Sequence, residues 1–307
     1  MTVHGGGKMD RFSCLNTFRR VVELEGFSNA ARDLGLSNAA VSKMIKDLEA
    51  ELGAQLIVRT TRSLHLTDVG QTYFTRVCHL LDDLHDADDF VRSSTENPRG
   101  HLRISAPMSF GLNRLSVLLP QFARLYPDIS IDLSMSDAFT DLVEGGFDLA
   151  IRGGRLEDSS LKARKLMDIE RQVFASPDYL DKMGFPAGPS DLASHACLIY
   201  TRSSTPDVWR LEKDDRRESV PVNGTYRVNN SLAIRDAAIA GLGLAFLPDF
   251  YTLAAHADGR LLDALPGWKG EKQTLYAVYP AHRQTSRKLR LFVDFLIDAF
   301  AKPSGPA

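Results

Sequence analysis

The sequence predicts an α/β protein with a helical N-terminal region and a longer region in which strands and helices alternate. Three observations predict it: two short helices joined by a tight turn in residues 27–52, an uninterrupted helical pattern in residues 67–94, and a strand–helix alternation from His101 onward. Alternation at this spacing is typical of βαβ units, so a mostly parallel sheet is expected in the C-terminal region.

The two short helices have the spacing of a helix-turn-helix. Ala31, Gly35 and Val41 fall at relative positions 0, 4 and 10. The motif needs a small residue where the helices touch, a glycine in the turn and a branched apolar residue that locks the second helix onto the first. Ser28 and Ser37 are expected to cap the two helices, because a serine hydroxyl accepts from free N–H groups of the first turn.

The second helix has an apolar face and a polar face. Its apolar residues recur at i, i+4, i+7 and i+11, which predicts that Val41, Ile45, Leu48 and Leu52 face inward. A recognition helix presents its outer face to the major groove of DNA. The residues predicted to contact DNA from this helix are Ser37, Asn38, Ala39, Ser42, Lys43 and Lys46. The alternative is an ordinary helical hairpin with a solvated face.

A basic hairpin is expected directly after this helix. Gly53 ends the helix, and apolar residues on both sides of a polar turn in residues 55–67 predict two short strands. A basic wing can reach the DNA backbone or the minor groove, so Arg59, Thr60 and Arg62 join the predicted DNA contacts. A solvated surface turn is the alternative, but the position beside the recognition helix favours a wing.

The long helix that follows carries a regular apolar seam. The seam consists of Tyr73, Val77, Leu80, Leu84, Ala87 and Val91, spaced 4, 3, 4, 3 and 4. This is a heptad pattern, which predicts a dimerising helix. A dimer would fit DNA recognition, because paired recognition helices contact two half-sites about one helical turn apart. The alternative is a helix packed on its own domain.

These elements, in this order, resemble the LysR-type family of bacterial transcription regulators. The resemblance is carried by the N-terminal helix, the helix-turn-helix, the RTTRSLHLTDVG wing, the long helix and then HLRISAPMSFG, FDLAIRGG and AGLGLAFLP, and it covers roughly residues 9–300. One departure concerns the target DNA: the family often has Gln-Pro or Gln-Ser where this chain has Asn38-Ala39.

The resemblance implies a DNA-binding regulator that is switched by a small-molecule effector. It implies a winged helix-turn-helix (9–66), a linker helix (67–95) and two α/β lobes (101–168 with 276–307, and 169–275), like a periplasmic solute-binding protein. It further implies dimers that assemble into a homotetramer, an operator that is an interrupted dyad, and contact with RNA polymerase. The residues themselves predict a disordered tail, because residues 1–8 are polar and Gly-rich, and a hinge at residues 96–100, where Pro98 and Gly100 interrupt the helical pattern.

Effector ligands in such folds lie at the carboxyl ends of strands, where helix N-termini offer free N–H groups. In the first lobe this places Met108, Ser109, Phe110, Ser136, Arg152 and Gly153 at the site. The resemblance gives Ser109 a hydrogen bond to the ligand, although a helix cap is the alternative role. An arginine such as Arg152 can bind a carboxylate bidentately or form a structural ion pair. Asp137 is expected to cap its own helix.

The second lobe contributes a similar set of polar residues. It consists of Tyr200, Thr201, Asn229, Asn230 and Ser231. Trp209 could stack on a ligand or belong to a core. Since hydroxyl, amide and guanidinium donors dominate both sets, the expected effector is anionic or carbonyl-bearing.

Composition and motifs exclude several other classes. Net charge is −2, but residues 1–66 hold nine Lys/Arg against seven Asp/Glu, and phosphate contacts need only local charge. No GxSxG, P-loop, HExxH or CxxC motif occurs, so neither an enzyme nor a cofactor is expected. Cys14, Cys78 and Cys197 are far apart, which favours a reducing cytoplasm. No export signal or stretch of 18 apolar residues is present.

Two alternative functions remain open at this point. A redox-sensing member of the same family would need two effector-domain cysteines, whereas only Cys197 lies in that domain. A solute-binding receptor would share the two-lobed fold, but it would carry an export signal and lack the DNA-binding region.

Overall fold

The computed structural model describes residues 10–59, 64–92, 98–138, 142, 145–154, 161–281, 283 and 286–301, without the side chains of 59, 85–87 and 89–92. The expected tail at residues 1–8 and the wing tip at residues 60–63 lie outside the described residues. The chain divides into two compact units, Met1–Thr95 and Glu96–Ala307. The predicted fold class is confirmed, and each unit is described by itself below.

The first unit is a winged helix-turn-helix followed by one long helix. Its elements are α1 (Arg11–Glu23), α2 (Phe27–Leu34), α3 (Asn38–Leu52), β1 (Ile57–Arg59), β2 (Leu64–Leu66) and α4 (Asp68–Arg92). Phe18 of α1 is fully buried at the centre of its core, with the rings of Tyr73 and Phe74 of α4 at 5.8 and 6.0 Å. The start of the long helix is therefore part of the core of this unit.

An ion pair between half-buried Arg19 and buried Asp82 also attaches α4 to α1. Arg19 Nη1 lies 2.7 Å from Asp82 Oδ1, and Arg19 Nε lies 2.7 Å from Glu23 Oε1. Burial lowers the pKa of the Arg19 guanidinium, but Asp82 and Glu23 outweigh it and raise that pKa above its ordinary value. A charge pair with so little exposed surface holds its partners in one arrangement, because separating them would leave an uncompensated charge.

The second unit contains two α/β lobes. Elements of the first lobe are β3 (Gly100–Ala106), α5 (Met108–Phe110), a π-helical turn (Gly111–Leu115), α6 (Ser116–Leu125), β4 (Ile129–Met135), β5 (Leu149–Gly153) and β6 (Leu161–Ile169). Elements of the second lobe are β7 (Arg171–Ala175), α7 (Pro177–Met183), a 3-10 turn (Pro189–Ser194), β8 (Cys197–Tyr200), β9 (Val208–Lys213), β10 (Arg216–Pro221), β11 (Arg227–Val228), α8 (Ser231–Ile239), β12 (Leu244–Pro248), a 3-10 turn (Asp249–Tyr251), α9 (Leu253–Ala257), β13 (Leu262–Asp263) and β14 (Lys269–Gly270). The chain then returns to the first lobe with β15 (Gln273–Pro280) and α10 (Arg287–Ala301).

The two large sheets are mixed: four of the five strands in each run in the same direction, as the prediction of a mostly parallel sheet requires, and one strand runs against them. Their strand orders are β4-β3-β5-β15-β6 and β11-β8-β12-β7-β13, and a small sheet has the order β10-β9-β14. In the first sheet β3 pairs parallel with β4 and β5, but β15 pairs antiparallel with β5 and β6. In the second, β7 is antiparallel to β12. The reason is the crossing between lobes: β7 and β15 each begin where the other strands end, and therefore run in the opposite direction.

The strand–helix alternation predicts helices at residues 112–126, 137–145 and 286–300, and the first two differ from the structure. The helix expected from residue 112 begins earlier, at Met108, and includes the π-helical turn and Pro120. The helix expected at residues 137–145 lies largely outside the described residues, and those that are described there, such as Asp137 and Leu142, are not helical. The final helix is confirmed as α10. None of the described helices combines the length and the apolar character needed to span a bilayer.

Candidate nucleic-acid interface and effector cavity

The helix-turn-helix has the packing that its spacing predicts. Ala31 and Val41 are buried where α2 meets α3, and Gly35 ends α2 with a φ of 66°, in the left-handed region that favours glycine. Ser37 caps α3 as expected, because its hydroxyl accepts from the Ala40 N–H at 3.2 Å. The predicted cap at Ser28 is wrong: α2 begins after Gly26, and Ser28 lies inside the helix.

The outer face of α3 is accessible. Asn38, Ala39, Lys43 and Lys46 are exposed, and Ser42 is half-buried. The opposite face holds Val41, Ile45 and Leu48, all buried, with Leu52 partly buried. The Asn38 amide donates to Ser28 Oγ at 3.2 Å, so this side chain already has a partner on α2. The helix thus offers two lysines and several short polar side chains on one face.

The predicted hairpin forms beside α3 in the same unit. Ile57 of β1 pairs with Leu66 of β2 in antiparallel register. Glu49 of α3 anchors the hairpin, since its Oε1 accepts from the backbone N–H groups of Leu56 and Ile57 at 2.8 and 3.1 Å. Of the predicted wing contacts, Thr60, Arg62 and the side chain of Arg59 lie outside the described residues.

The apolar seam of α4 is divided between two surroundings. Val77 is 4% exposed and packs with Phe18, and Tyr73 packs against the same core, so these two residues belong to their own unit and not to a free seam. Leu80 and Leu84 are 57% and 45% exposed. The prediction of one uniform seam is therefore corrected: α4 is apolar over a wider arc, one edge of which packs on α1. The side chains of Ala87 and Val91 are not described.

The predicted effector residues of the first lobe are largely engaged with other protein groups. The Ser109 hydroxyl is buried and accepts from the Ser231 N–H at 3.0 Å, which joins α5 to the start of α8 in the second lobe. The Met108 N–H donates to Asp137 Oδ1 at 3.1 Å, so Asp137 caps α5, contrary to the expectation that it caps its own helix. Phe110 is buried, with its ring 6.0 Å from that of Phe250.

Ser136 and Arg152 also have partners within the first lobe. Ser136 Oγ accepts from the Ala138 N–H at 3.2 Å. Arg152 donates to Ser105 Oγ at 3.1 Å and to the carbonyl of Ile151 at 3.1 Å. Burial lowers the pKa of the Arg152 guanidinium, and Asp137 partly opposes this shift. Both side chains therefore stabilise the strand ends on which they lie.

The second-lobe set is split between a helix cap and an exposed loop. Asn230 caps α8, because its Oδ1 accepts from the N–H groups of Leu232 and Ala233 at 3.0 and 3.1 Å. Asn229 and Thr201 are exposed. Tyr200 is half-buried, and burial raises the pKa of its phenol.

A cavity of about 250 Å³ lies between the two lobes of the second unit. Four of the predicted effector residues line it: Phe110, Gly153, Tyr200 and Ser231. The other seven do not: Met108, Ser109, Ser136, Arg152, Thr201, Asn229 and Asn230. Trp209, noted as a possible stacking residue, also lines it and packs against Phe246 with ring centroids 5.3 Å apart.

Two models of known protein families match this chain and together cover nearly all of it. Residues 12–71 match the bacterial regulatory helix-turn-helix protein model of the lysR family, and residues 95–301 match the LysR substrate-binding domain. The chain belongs to the LysR family of transcription regulators. The resemblance inferred from the sequence is thereby confirmed.

Curated relatives and solved structures agree with this assignment. The LysR-type chain is 37% identical to the HTH-type transcriptional regulator PtxR of Pseudomonas aeruginosa over 282 residues, covering 92% of this chain and 90% of that one. It matches the structure of the LysR-type regulator CrgA of Neisseria meningitidis with a TM-score of 0.63 and 33% identity, covering 94% and 99% of the two chains. The full-length Vibrio cholerae virulence activator AphB matches with a TM-score of 0.59 and 28% identity, covering 94% and 99%.

Within this LysR-type chain, sequence reasoning missed three charged residues that line the cavity, of which Arg210 and Glu271 are exposed and Arg171 is half-buried. Arg171 is the first residue of β7 and lines the cavity, with its Nε buried and without a hydrogen-bond partner among the described residues. Burial lowers the pKa of its guanidinium. The rule of looking at the carboxyl ends of strands could not find it, because Arg171 lies at the amino end of a strand that enters from the other lobe. No group of three or more His, Cys, Asp or Glu residues suited to a metal ion occurs in the described part of the chain.

Proposed function

We propose that this LysR-type regulator binds an interrupted-dyad operator as a dimer or tetramer, through the outer face of α3 and the wing. The proposal rests on the exposed polar face of α3, where Lys43 and Lys46 lie opposite the apolar face formed by buried Val41, Ile45 and Leu48. Such a helix can lie in the major groove without disturbing its own core. The protein acts in the cytoplasm, contacts RNA polymerase from the operator and binds ligands without catalysing a reaction.

Replacing the α3 lysines tests the DNA contact. Lys43→Ala and Lys46→Ala are each expected to weaken binding to operator and to unrelated DNA alike, since lysine neutralises phosphate and reads no base. The slope of log affinity against log salt should fall by about one unit for each phosphate that is no longer neutralised. Electrophoretic mobility or fluorescence anisotropy at several salt concentrations measures both quantities.

A matched control removes the same charge elsewhere. Lys182 is exposed on α7 of the other unit, so Lys182→Ala should leave the salt slope unchanged. Replacing Ser42 or Ala39 should instead alter which sequence is preferred, because short side chains at these positions face base edges. Salt slopes equal to that of the parent in both lysine variants would refute the phosphate contacts.

The effector acts, in this proposal, on the contact between the two lobes. Ser109 and Ser231 are hydrogen-bonded across the cleft, and the cavity adjoins Ser231. A ligand can switch the protein only if it binds one arrangement of the lobes better than another. An anionic or carbonyl-bearing molecule in the cleft would compete with, or reinforce, this link. We therefore assign Ser109 a role in joining the lobes as well as in responding to the effector.

The redox alternative predicts a reactive thiol in the effector domain, and the surroundings of Cys197 disfavour it. Cys197 is buried, and burial raises the pKa of its thiol to about 12. A thiol reacts as the thiolate, which is scarce for such a group at neutral pH. Treatment with hydrogen peroxide is expected to leave operator binding by a Cys14→Ala/Cys78→Ala variant unchanged. Oxidant-dependent operator binding that disappears in Cys197→Ser would revive redox sensing.

A further inference from the structure

The cavity between the lobes contains a cation without a counter-charge among the described residues. Arg171 has a buried Nε with no partner in that part of the chain, and its guanidinium lies 5.9 Å from the centroid of the Phe246 ring. The neighbouring carboxylate of Glu170 is engaged elsewhere, by Lys269 Nζ and by Gln172 Nε2.

The remaining charges of the cavity wall cancel each other at its outer edge. Arg210 and Glu271 line the cavity, lie 3.9 Å apart and have side chains that are 49% and 57% exposed. Among the described lining residues, the interior therefore carries the single positive charge of Arg171. A guanidinium in this position pays a desolvation penalty that no carboxylate of the described residues offsets. Uncompensated buried charges of this kind are concentrated at ligand sites.

The walls of the cavity are aromatic. Tyr200, Trp209, Phe246, Phe250 and Tyr251 all contribute to the lining, and the Phe250 and Tyr251 rings are 4.4 Å apart. Hydroxyl groups are supplied by the loop residues Ser203, Ser204 and Thr205. A volume of about 250 Å³ lies just below the range of pockets that hold drug-sized ligands. It suits a single ring with small substituents.

We infer that this cavity binds a small aromatic carboxylate, with the carboxylate on Arg171 and the ring against the aromatic wall. The inference rests on the proposed function, since it names the effector class for the same regulatory domain. Arginine presents two parallel N–H donors that match a carboxylate, and this pairing supplies the missing counter-charge. A neutral ring would leave Arg171 unpaired, and an aliphatic acid would leave the aromatic wall uncovered.

Binding is tested on the full chain with benzoate as the probe. Benzamide lacks the charge and butyrate lacks the ring, so each is expected to bind at least about tenfold more weakly than benzoate in calorimetry. The chain has two tryptophans, so Trp268→Phe leaves Trp209 in the cavity wall as the sole tryptophan. Benzoate should then change the fluorescence of Trp209, and titration of this change should give the same dissociation constant as calorimetry.

Variants at Arg171 test whether this side chain binds the carboxylate of benzoate. Arg171→Met is expected to weaken benzoate binding by about tenfold to a hundredfold, because the hydrogen-bonded ion pair cannot form. Arg171→Lys keeps the charge but not the two parallel donors, so its affinity for benzoate should lie between those of the parent and of Arg171→Met. Arg216→Gln removes a charge from the exposed strand β10 outside the cavity and should bind benzoate like the parent.

Stability separates a ligand-binding arginine from a structural one. Without ligand, Arg171→Met should melt at or above the temperature of the parent, because a buried unpaired charge has been removed. Benzoate should raise the melting temperature of the parent but not of this variant. A structural arginine would instead give a lower melting temperature or an unfolded variant, and either result overturns the inference.

Equal binding of benzoate and benzamide, or undiminished binding by Arg171→Met, also overturns it. Operator binding is measured on the same samples without ligand. Operator binding without benzoate binding refutes the effector class and leaves the proposed DNA-binding function intact, whereas failure to bind operator refutes that function.

Discussion

Gly70→Ala is expected to destabilise the N-terminal unit by at least about 2 kcal/mol, because the added methyl group has no room. Gly70 lies in the first turn of α4. A Cβ at this position would stand 2.9 Å from the carbonyl carbon of Leu56 and closer still to its oxygen. The neighbouring backbone is fixed as well, since Thr67 Oγ1 donates to the Gln55 carbonyl at 2.8 Å and accepts from the Gly70 N–H at 2.9 Å. The helix must therefore move away from the hairpin.

Calorimetric unfolding of the full chain measures this effect with an internal reference. Only the melting temperature of the N-terminal unit should fall, and that of the second unit, Glu96–Ala307, should stay unchanged. Gly26→Ala is the matched control in the same unit. Gly26 has extended backbone, and a Cβ there would meet Asn29 Nδ2 at 3.6 Å, an ordinary contact. Equal shifts for the two variants would mean that α4 tolerates the methyl group.

The contrast between Gly35 and Gly70 shows which glycines can be recognised from the sequence as structurally required. Gly35 lies in a turn whose need for a left-handed residue follows from the spacing of Ala31 and Val41 within ten residues. Gly70 is required by the carbonyl of Leu56, which lies between α3 and β1, so no local pattern marks it. The helix-turn-helix was predictable because its stabilising contacts recur with the helical period, and the approach of α4 to the hairpin was not.

The cavity between the lobes shows the same division between predictable and unpredictable residues. Tyr200 and Ser231 were predicted because they follow strands or open a helix, and they line the cavity. Arg152 satisfied the same rule, yet its guanidinium bonds Ser105 instead. Arg171 broke the rule, because the chain crosses between lobes immediately before it. Whether an arginine has a hydrogen-bond partner depends on the order of strands in two mixed sheets. Sequence periodicity within one segment does not predict that order.

The last and largest expected effect concerns assembly through α4. Leu80 and Leu84 are neighbours on one helical face, and Val69, three turns earlier on that face, is 57% exposed. We expect this exposed edge to be covered by a second copy of the helix. Leu80→Asp/Leu84→Asp would bury charge there, which costs several kcal/mol unless the charge is paired. The fragment of residues 9–94 should then sediment as a monomer, and the full chain should bind a two-half-site operator at least about a hundredfold more weakly.

The control for this experiment adds the same kind of charge to the polar part of the helix. Gln71 is exposed and lies on the side of α4 opposite Leu80, because nine residues span two and a half helical turns. Gln71→Asp should therefore leave both sedimentation and operator affinity near those of the parent. The substituted leucines are exposed in the single chain, so the folded state of the fragment should be preserved and circular dichroism should be unchanged. A fragment that remains dimeric with both aspartates would place the dimer contact on another surface. Loss of helical signal would show instead that the two leucines stabilise the single chain, which their exposure argues against.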